Sequence, residues 1–172
     1  MAWKHSRSSW LKPGARAPAT GATCRSIALK TQFDPDDSQL TTLRGLDPEA
    51  PVAALNFFRF NDRARYAPGD EEYGTEQAEV SGQEAFQRYA VSAGQVLADL
   101  GGHVAFTTMV DQVMIGPSDP PWHVAAIMVF PSRRAFIEMT MNPEFQAASR
   151  HRKAGLANHY QVHLNGAPWV EE

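Results

Sequence analysis

The spacing of apolar residues changes along the chain between a helical and a strand-like period. Behind Ser81-Gly82-Gln83-Glu84, which has the form of a capping box, apolar residues recur at steps of three and four as far as Leu100. This spacing predicts an amphipathic helix that Gly101-Gly102 ends. Nearly continuous apolar runs at 52–60 and 122–130 have the length of strands and predict two buried strands.

Shorter signals complete the pattern. Asp36-Asp37-Ser38-Gln39 is a second potential capping box and predicts a short helix that ends at Gly45. Residues 61–80 are polar and predict a long loop, of a length that compact domains seldom carry without a use. The remaining predicted elements are a β-prone segment at 103–115, a helix that Pro131-Ser132 opens, its restart at Asn142-Pro143, its end at Gly155, and a last strand at about 158–164.

After the leading helix, the predicted order is β, α, β, β, α, β. This order indicates an α+β, ferredoxin-like βαββαβ domain with a four-stranded antiparallel sheet and both helices on one face. The strands are apolar on both sides, so the second face also needs a cover. A second copy of the same sheet provides one, and we therefore expect a homodimer.

Composition narrows the class of protein. Hydrophobic residues make up 43% of the 172 residues and charged residues 20%, as in ordinary globular domains. No apolar run approaches the roughly 18 residues that a membrane helix requires, so no membrane partner is expected. Cys24 is the single cysteine and excludes a disulfide within the chain, which favours a reducing, cytoplasmic location.

Charge is divided unevenly along the chain. Six of the 16 basic residues lie in residues 1–33, which contain no Asp or Glu, so the other ten are outnumbered by all 19 acidic groups, a net charge of −9. Residues 1–33 are predicted to be a disordered basic tail in front of a domain at 34–172. A transit peptide, a solvated arm and sequence upstream of a later start remain open for this tail. The acidic domain argues against a nucleic-acid partner.

Several segments resemble one family. Leu55-Asn56-Phe57-Phe58-Arg59-Phe60 resembles the first-strand motif of the domain of unknown function 1330 (DUF1330) family. Four further segments and one helix restart are similar to that family in order and spacing: Ser81-Gly82-Gln83-Glu84-Ala85-Phe86 with Tyr89, Gly101-Gly102 with Ile115-Gly116-Pro117, Phe130-Pro131-Ser132-Arg133-Arg134-Ala135-Phe136, His151-Arg152-Lys153-Ala154-Gly155-Leu156-Ala157, and Asn142-Pro143-Glu144-Phe145.

The resemblance implies a dimeric α/β barrel, in which two ferredoxin-like sheets face each other around a cavity. The wider superfamily includes small monooxygenases, haem-degrading enzymes, isomerases, aldoxime dehydratases and stress-response proteins, so the fold alone does not fix a reaction. The chain departs from the family pattern at His123, where an acidic residue is expected, and at Phe130, where tyrosine is expected.

Two polar residues interrupt the apolar run at 52–60. Asn56 is predicted either to hydrogen-bond a neighbouring loop or to orient a ligand carbonyl or hydroxyl in a pocket. Arg59 lies three positions on, so strand alternation places it on the opposite face from Asn56. There it is an ion-paired or solvated residue at the end of the strand, or it binds an anionic group of a substrate.

The other candidates lie at the ends of elements or in the long loop. His103 and His123 begin the two middle strands and are either surface or hydrogen-bonded structural residues, or a general acid and base. Arg152, beside His151 near the end of a helix, either interacts with the helix dipole or lies at the rim of the cavity. Tyr66 lies in the 61–80 loop, which is a candidate lid over a bound substrate.

No spacing of ligands predicts a metal site, and no phosphate loop, dinucleotide fingerprint or catalytic triad appears, so no cofactor is expected. The sequence favours a small-molecule-binding protein with its site between the open face of the sheet and the 61–80 loop. Three classes remain open. They are a cofactor-free enzyme of monooxygenase, isomerase or cyclase type acting on a partly apolar metabolite, a non-catalytic ligand-binding or stress-related protein, and a haem-binding member of the superfamily.

Overall fold

The computed structural model describes residues 32–116 and 121–165. The predicted tail, residues 1–33, lies outside the described residues except for Gln32 and Phe33. The described elements, in chain order, are α1 (Asp37–Arg44), β1 (Val52–Phe60), a short 3-10 helix (Glu76–Ala78), α2 (Gly82–Asp99), β2 (His103–Met109), β3 (Val124–Phe130), α3 (Arg133–Met141), α4 (Pro143–Gly155) and β4 (Leu156–Leu164).

The four strands form one antiparallel sheet in the order β2-β3-β1-β4. The two apolar runs of the sequence form the central strands β1 and β3, which have a neighbouring strand on each side. This topology confirms the predicted α+β class and the ferredoxin-like arrangement.

The strand ends differ from the prediction. β2 ends at Met109 rather than continuing to residue 115, because Met109 already pairs with Val124, the first residue of β3, and the described residues offer no further strand to pair with. β3 begins at Val124 rather than at Trp122, and β4 begins at Leu156, two residues earlier than predicted.

The helix ends follow the capping signals closely. Asp36 and Ser81 each form a complete capping box with the residue three positions on, as predicted. Asn142 ends α3 and caps α4, whose first residue is Pro143. Gly101 has a φ of 76°, a conformation that favours glycine, and this allows the tight turn from α2 into β2.

Helices α2 and α4 pack on one face of the sheet and approach each other closely at their glycines. A Cβ atom on Gly82 would lie 2.4 Å from the Gly155 carbonyl oxygen, and one on Gly155 would lie 2.5 Å from the Gly82 oxygen. Asn61 joins the two helix ends, since its backbone N–H donates to Gly155 and its carbonyl accepts from Gly82. This contact fixes the start of the 61–80 loop at the junction of both helices.

The 61–80 loop lies against α2 and α4. The Arg65 N–H donates to the Ala154 carbonyl, and Ala64 donates to Val80, so both ends of the loop are tied down. Its buried side chains, Tyr66 and Glu72, face the helices. The loop is therefore part of the helical layer. A separate property of the helices is that, within the described residues, none has the length and hydropathy of a membrane span.

Candidate functional site

The two faces of the sheet differ in how they are covered. Alternate residues of β1, from Val52 to Phe60, are buried beneath the helices, whereas the residues between them are only half-buried. The partners of these half-buried positions on β3 are Ala125, Ile127 and Val129. The open face of the sheet, defined by these positions and their neighbours on β2 and β4, is mostly apolar and has no helix packed on it among the described residues.

Three aromatic side chains form a cluster on the open face. The ring centroids of Phe57 and Trp122 lie 5.9 Å apart, and those of Trp122 and Tyr160 lie 6.5 Å apart. Phe57 and Tyr160 are paired across β1 and β4, which places both on the same face. Tyr160 remains 48% exposed, so the cluster presents aromatic surface to whatever lies above the sheet.

Arg59 stands at the end of the open face, two residues beyond Phe57. It lies on the opposite face from Asn56, as alternation predicted. Arg59 lines a groove of about 330 Å³ that Arg65 and Lys153 also line. Within the described part of the chain, neither arginine of this groove forms an ion pair. The end of the apolar face therefore carries positive charge that an anionic group can balance.

Asn56 lies on the helix-covered face, not in the open-face cavity where it was predicted. Its side chain is 2% exposed, its amide donates to the Ala54 carbonyl at 2.9 Å, and its Oδ1 lies 3.1 Å from Nε2 of His159. Because the amide nitrogen is used as a donor, Oδ1 must accept, and Nε2 of His159 must carry the proton. Asn56 therefore fixes the tautomer of a buried imidazole.

The imidazole of His159 lies in an environment that disfavours its charged form. Burial, and then the positive charge of Arg152, lower the pKa of His159 from 6.5 to about 4. The Arg152 guanidinium stands 5.8 Å from the ring centroid of Tyr89, whose pKa is raised by burial. The covered face thus contains a polar group made of Asn56, His159, Arg152 and Tyr89, and the imidazole in it is neutral at pH 7.

Arg152 itself is buried rather than placed at the rim of an open cavity. Its side chain is 10% exposed, and its two Nη atoms donate to the Phe33 carbonyl at 2.7 Å and to the Asp34 carboxylate at 3.0 Å. Its Nε atom is buried without a hydrogen-bond partner. The residues just before α1 thus supply the counter-charge of this arginine.

Tyr66 contacts a histidine beneath the 61–80 loop. Its hydroxyl lies 2.9 Å from Nδ1 of His151 and accepts a hydrogen bond from Arg88 at 3.2 Å. Burial lowers the pKa of His151 and raises that of Tyr66, so both groups are neutral near pH 7 and the hydroxyl donates to Nδ1. The loop side of this pair borders a shallow groove of about 390 Å³.

Glu72 ties the same loop to α4. Burial would raise its pKa, but the hydrogen bonds and charge of Arg150 outweigh that effect and leave the pKa lowered. Arg150 Nε lies 3.1 Å from one carboxylate oxygen of Glu72, whose side chain is 5% exposed. These contacts hold the loop on the helices, which argues for a structural role of the loop rather than that of a lid.

The two histidines predicted as acid and base lie at opposite ends of the sheet. His103 pairs with Val129, whereas His123 immediately precedes β3, a separation of about 20 Å along the strand. His103 is exposed, and His123 accepts the Phe60 N–H through Nδ1 at 3.1 Å. Within one protomer the sheet therefore does not bring His103 and His123 together.

Sequence reasoning missed the residues that mark both faces, namely Trp122, Tyr160 and His159. The alternation of β4 was the one available signal for Tyr160 and His159, but it does not say which face is covered. In residues 32–116 and 121–165, no three His, Cys, Asp or Glu side chains are grouped as a metal site would require.

Comparison with known proteins identifies relatives of this fold. The model of the DUF1330 family, described as a domain of unknown function, matches residues 72–163. The methylated RPA0582 protein has 30% identity and a TM-score of 0.72 over 82% of this chain and 98% of that chain. The RPA0582 protein of unknown function from Rhodopseudomonas palustris has 30% identity and a TM-score of 0.69 over 80% and 98%. No match is found among curated proteins. The family match and these two structures show that the chain belongs to the DUF1330 family.

Proposed function

We propose that the protein is a homodimer that binds a small, partly apolar anionic metabolite between the open faces of two sheets. The observation that carries this proposal is the aromatic cluster of Phe57, Trp122 and Tyr160 on the open face, with Arg59 at its end. Small-molecule sites are apolar pockets with a few placed polar groups, and this combination has that character.

The size of the open face supports a second copy as its cover. Four strands spaced about 4.8 Å apart and eight residues long span roughly 20 Å by 25 Å, or about 500 Å². Two such faces together bury on the order of 1,000 Å², which is the lower bound for a specific interface. Phe106 and Leu164, on the outer strands of this face, remain 56% and 40% exposed and supply apolar surface for the contact.

The ligand chemistry follows from the two kinds of side chain at the site. Aromatic rings favour a planar or apolar body, and an arginine without an ion-pair partner in the described residues favours a carboxylate or another anion. The Tyr160 hydroxyl adds a polar group to the cluster itself. These features suit a ligand-binding protein, and equally a cofactor-free enzyme whose substrate lies on the aromatic cluster.

Oligomeric state is the first test. Light scattering at micromolar concentration should give the mass of a dimer for the full chain. Ile127→Lys, in the centre of the open face, should give a monomer because it places a charge in the interface. Val91→Lys, on an exposed position of α2, should remain dimeric. A monomeric wild-type protein would refute this part of the proposal.

Ligand binding is the second test. Calorimetry with 2-naphthoate should show binding that Arg59→Gln weakens about tenfold, by removing a charge-assisted pair. Arg63→Gln is the matched control, since that arginine is exposed and pairs with Glu79. Equal binding of uncharged 2-naphthol, or no difference between the two variants, would remove Arg59 from the site. Mass spectrometry of copurifying and aerobically incubated compounds would then identify a natural ligand and any turnover.

A further inference from the structure

The contact between Arg152 and the segment before α1 points to a second binding site. Arg152 carries a full positive charge within a side chain that is nine-tenths buried. A buried charge is costly unless it is paired, and leaving one unpaired costs more than the pair itself contributes. In the described residues, the anion paired with Arg152 is the Asp34 carboxylate.

The Asp34 carboxylate is held by two cations at once. One oxygen lies 3.0 Å from Arg152 Nη2 and the other lies 2.8 Å from Lys153 Nζ. Burial would raise the pKa of the Asp34 carboxyl, but the hydrogen bond and charge of Lys153 and the charge of Arg152 hold it below its ordinary value. The carboxylate is therefore ionised at neutral pH, and Arg152 and Lys153 each bind one of its oxygens.

The residue next to Asp34 supplies the apolar half of the contact. The Phe33 side chain is half-buried and packs against the apolar cluster of Phe58, Phe60, Ala126 and Leu156. Phe33 and Asp34 thus present a phenyl group and a carboxylate on adjacent residues. The groove of about 330 Å³ is lined by Phe33, Lys153 and Arg59, and the Asp34 side chain that Lys153 binds is 61% exposed.

We propose that Arg152 and Lys153 form a carboxylate-binding site that the chain itself occupies with Phe33 and Asp34, and that a small aryl-alkanoate competes with this segment for it. The segment is attached to the domain, so its effective concentration is on the order of millimolar. An external carboxylate must overcome this competition, and its apparent affinity in the wild-type protein is reduced accordingly. This site uses Arg152 and Lys153 rather than the open-face aromatic cluster, shares its groove with Arg59 and does not require the dimer.

The test is calorimetry of the full chain with 3-phenylpropanoate at pH 7. Asp34→Asn removes the competing charge and leaves the backbone in place, so it should bind about tenfold more tightly than wild type. Asp37→Asn makes the same charge change three residues away and should bind like wild type. Lys153→Gln, at a half-exposed position, should weaken binding about tenfold in the Asp34→Asn background, where no carboxylate of the chain competes for Lys153.

The uncharged analogue 3-phenylpropan-1-ol distinguishes a carboxylate site from a merely apolar groove. It should bind more weakly than the acid to Asp34→Asn and should not respond to Lys153→Gln. The proposal is overturned if Asp34→Asn binds the acid no more tightly than wild type does. Equal affinity for the acid and the alcohol would also overturn it, since the cations would then play no part.

Discussion

The pH dependence of stability should depend strongly on His159. Its pKa is lowered from 6.5 to about 4 by burial and by the charge of Arg152. Between these two values the unfolded chain binds a proton that the folded protein does not, so the free energy of unfolding falls as the pH falls. The stabilisation is fully present above pH 6.5, decreases between pH 6.5 and 4, and does not change further below pH 4.

The magnitude follows from the shift. The difference between the two pKa values of His159 lowers the free energy of unfolding by about 3 kcal/mol at the acid limit. At pH 5, where the titration is incomplete, the loss is about 2 kcal/mol. His151 and His163, whose pKa values are also lowered, contribute in the same direction. The test must therefore compare differences between proteins rather than rely on the wild-type curve alone.

Urea unfolding at fixed protein concentration, at pH 7 and pH 5, supplies that comparison. His159→Gln should lose about 2 kcal/mol less than wild type between the two pH values, because the variant has no imidazole to protonate at this position. Gln161→Ala, on the same strand, leaves the imidazole in place and should retain the wild-type difference. The reasoning is refuted if wild type and His159→Gln lose the same free energy of unfolding between pH 7 and pH 5.

Three further substitutions test other parts of the structure. Asn56→Ala should lower the free energy of unfolding by about 1–3 kcal/mol, because the buried N–H of His159 loses its acceptor; urea unfolding at pH 7 measures this, and no loss would show that the amide is dispensable for folding. Glu72→Gln should lower the free energy of unfolding by about 2 kcal/mol and speed amide exchange in the 61–80 loop. Glu71 has a side chain that is 83% exposed, so Glu71→Gln should change the free energy of unfolding by less than about 0.5 kcal/mol. Equal effects of the two substitutions would contradict the role given to burial. Gly155→Ala should cost about 1–3 kcal/mol in thermal unfolding because its Cβ would overlap a backbone oxygen of the neighbouring helix, and an unchanged melting temperature would show that the two helices can separate.

Local chemistry explains why most of the fold could be predicted. The capping boxes at Asp36 and Ser81 and the Asn142-Pro143 restart depend on residues within one turn of each other, and all three mark helix ends in the structure. The end of β2 could not be predicted in the same way. Residues 110–115 have a β-prone sequence, but whether they form a strand depends on a partner strand that begins only at Val124.

The site was harder to predict because alternation assigns residues to two faces without saying which one is covered. Asn56 and Arg59 were correctly separated, yet Asn56 was placed on the open face, and the structure shows it beneath the helices with His159. The partner of Asn56 lies 103 residues away along the chain, so no local pattern could indicate it.

The start of β3 also shows that strand alternation alone does not predict the face on which a side chain lies. A regular strand from residue 122 onward would place Trp122 on the same face as Val124, which lies with the helix-side cluster of Phe58 and Phe60. Instead, Trp122 contacts Phe57 and Tyr160 on the open face, while His123 packs against Phe60. The regular ladder begins only at Val124, so residues 122 and 123 are free to depart from alternation. Because of that irregularity, the Trp122 indole lies in the proposed ligand site. His123, one of the predicted catalytic residues, instead accepts a hydrogen bond from the Phe60 backbone N–H.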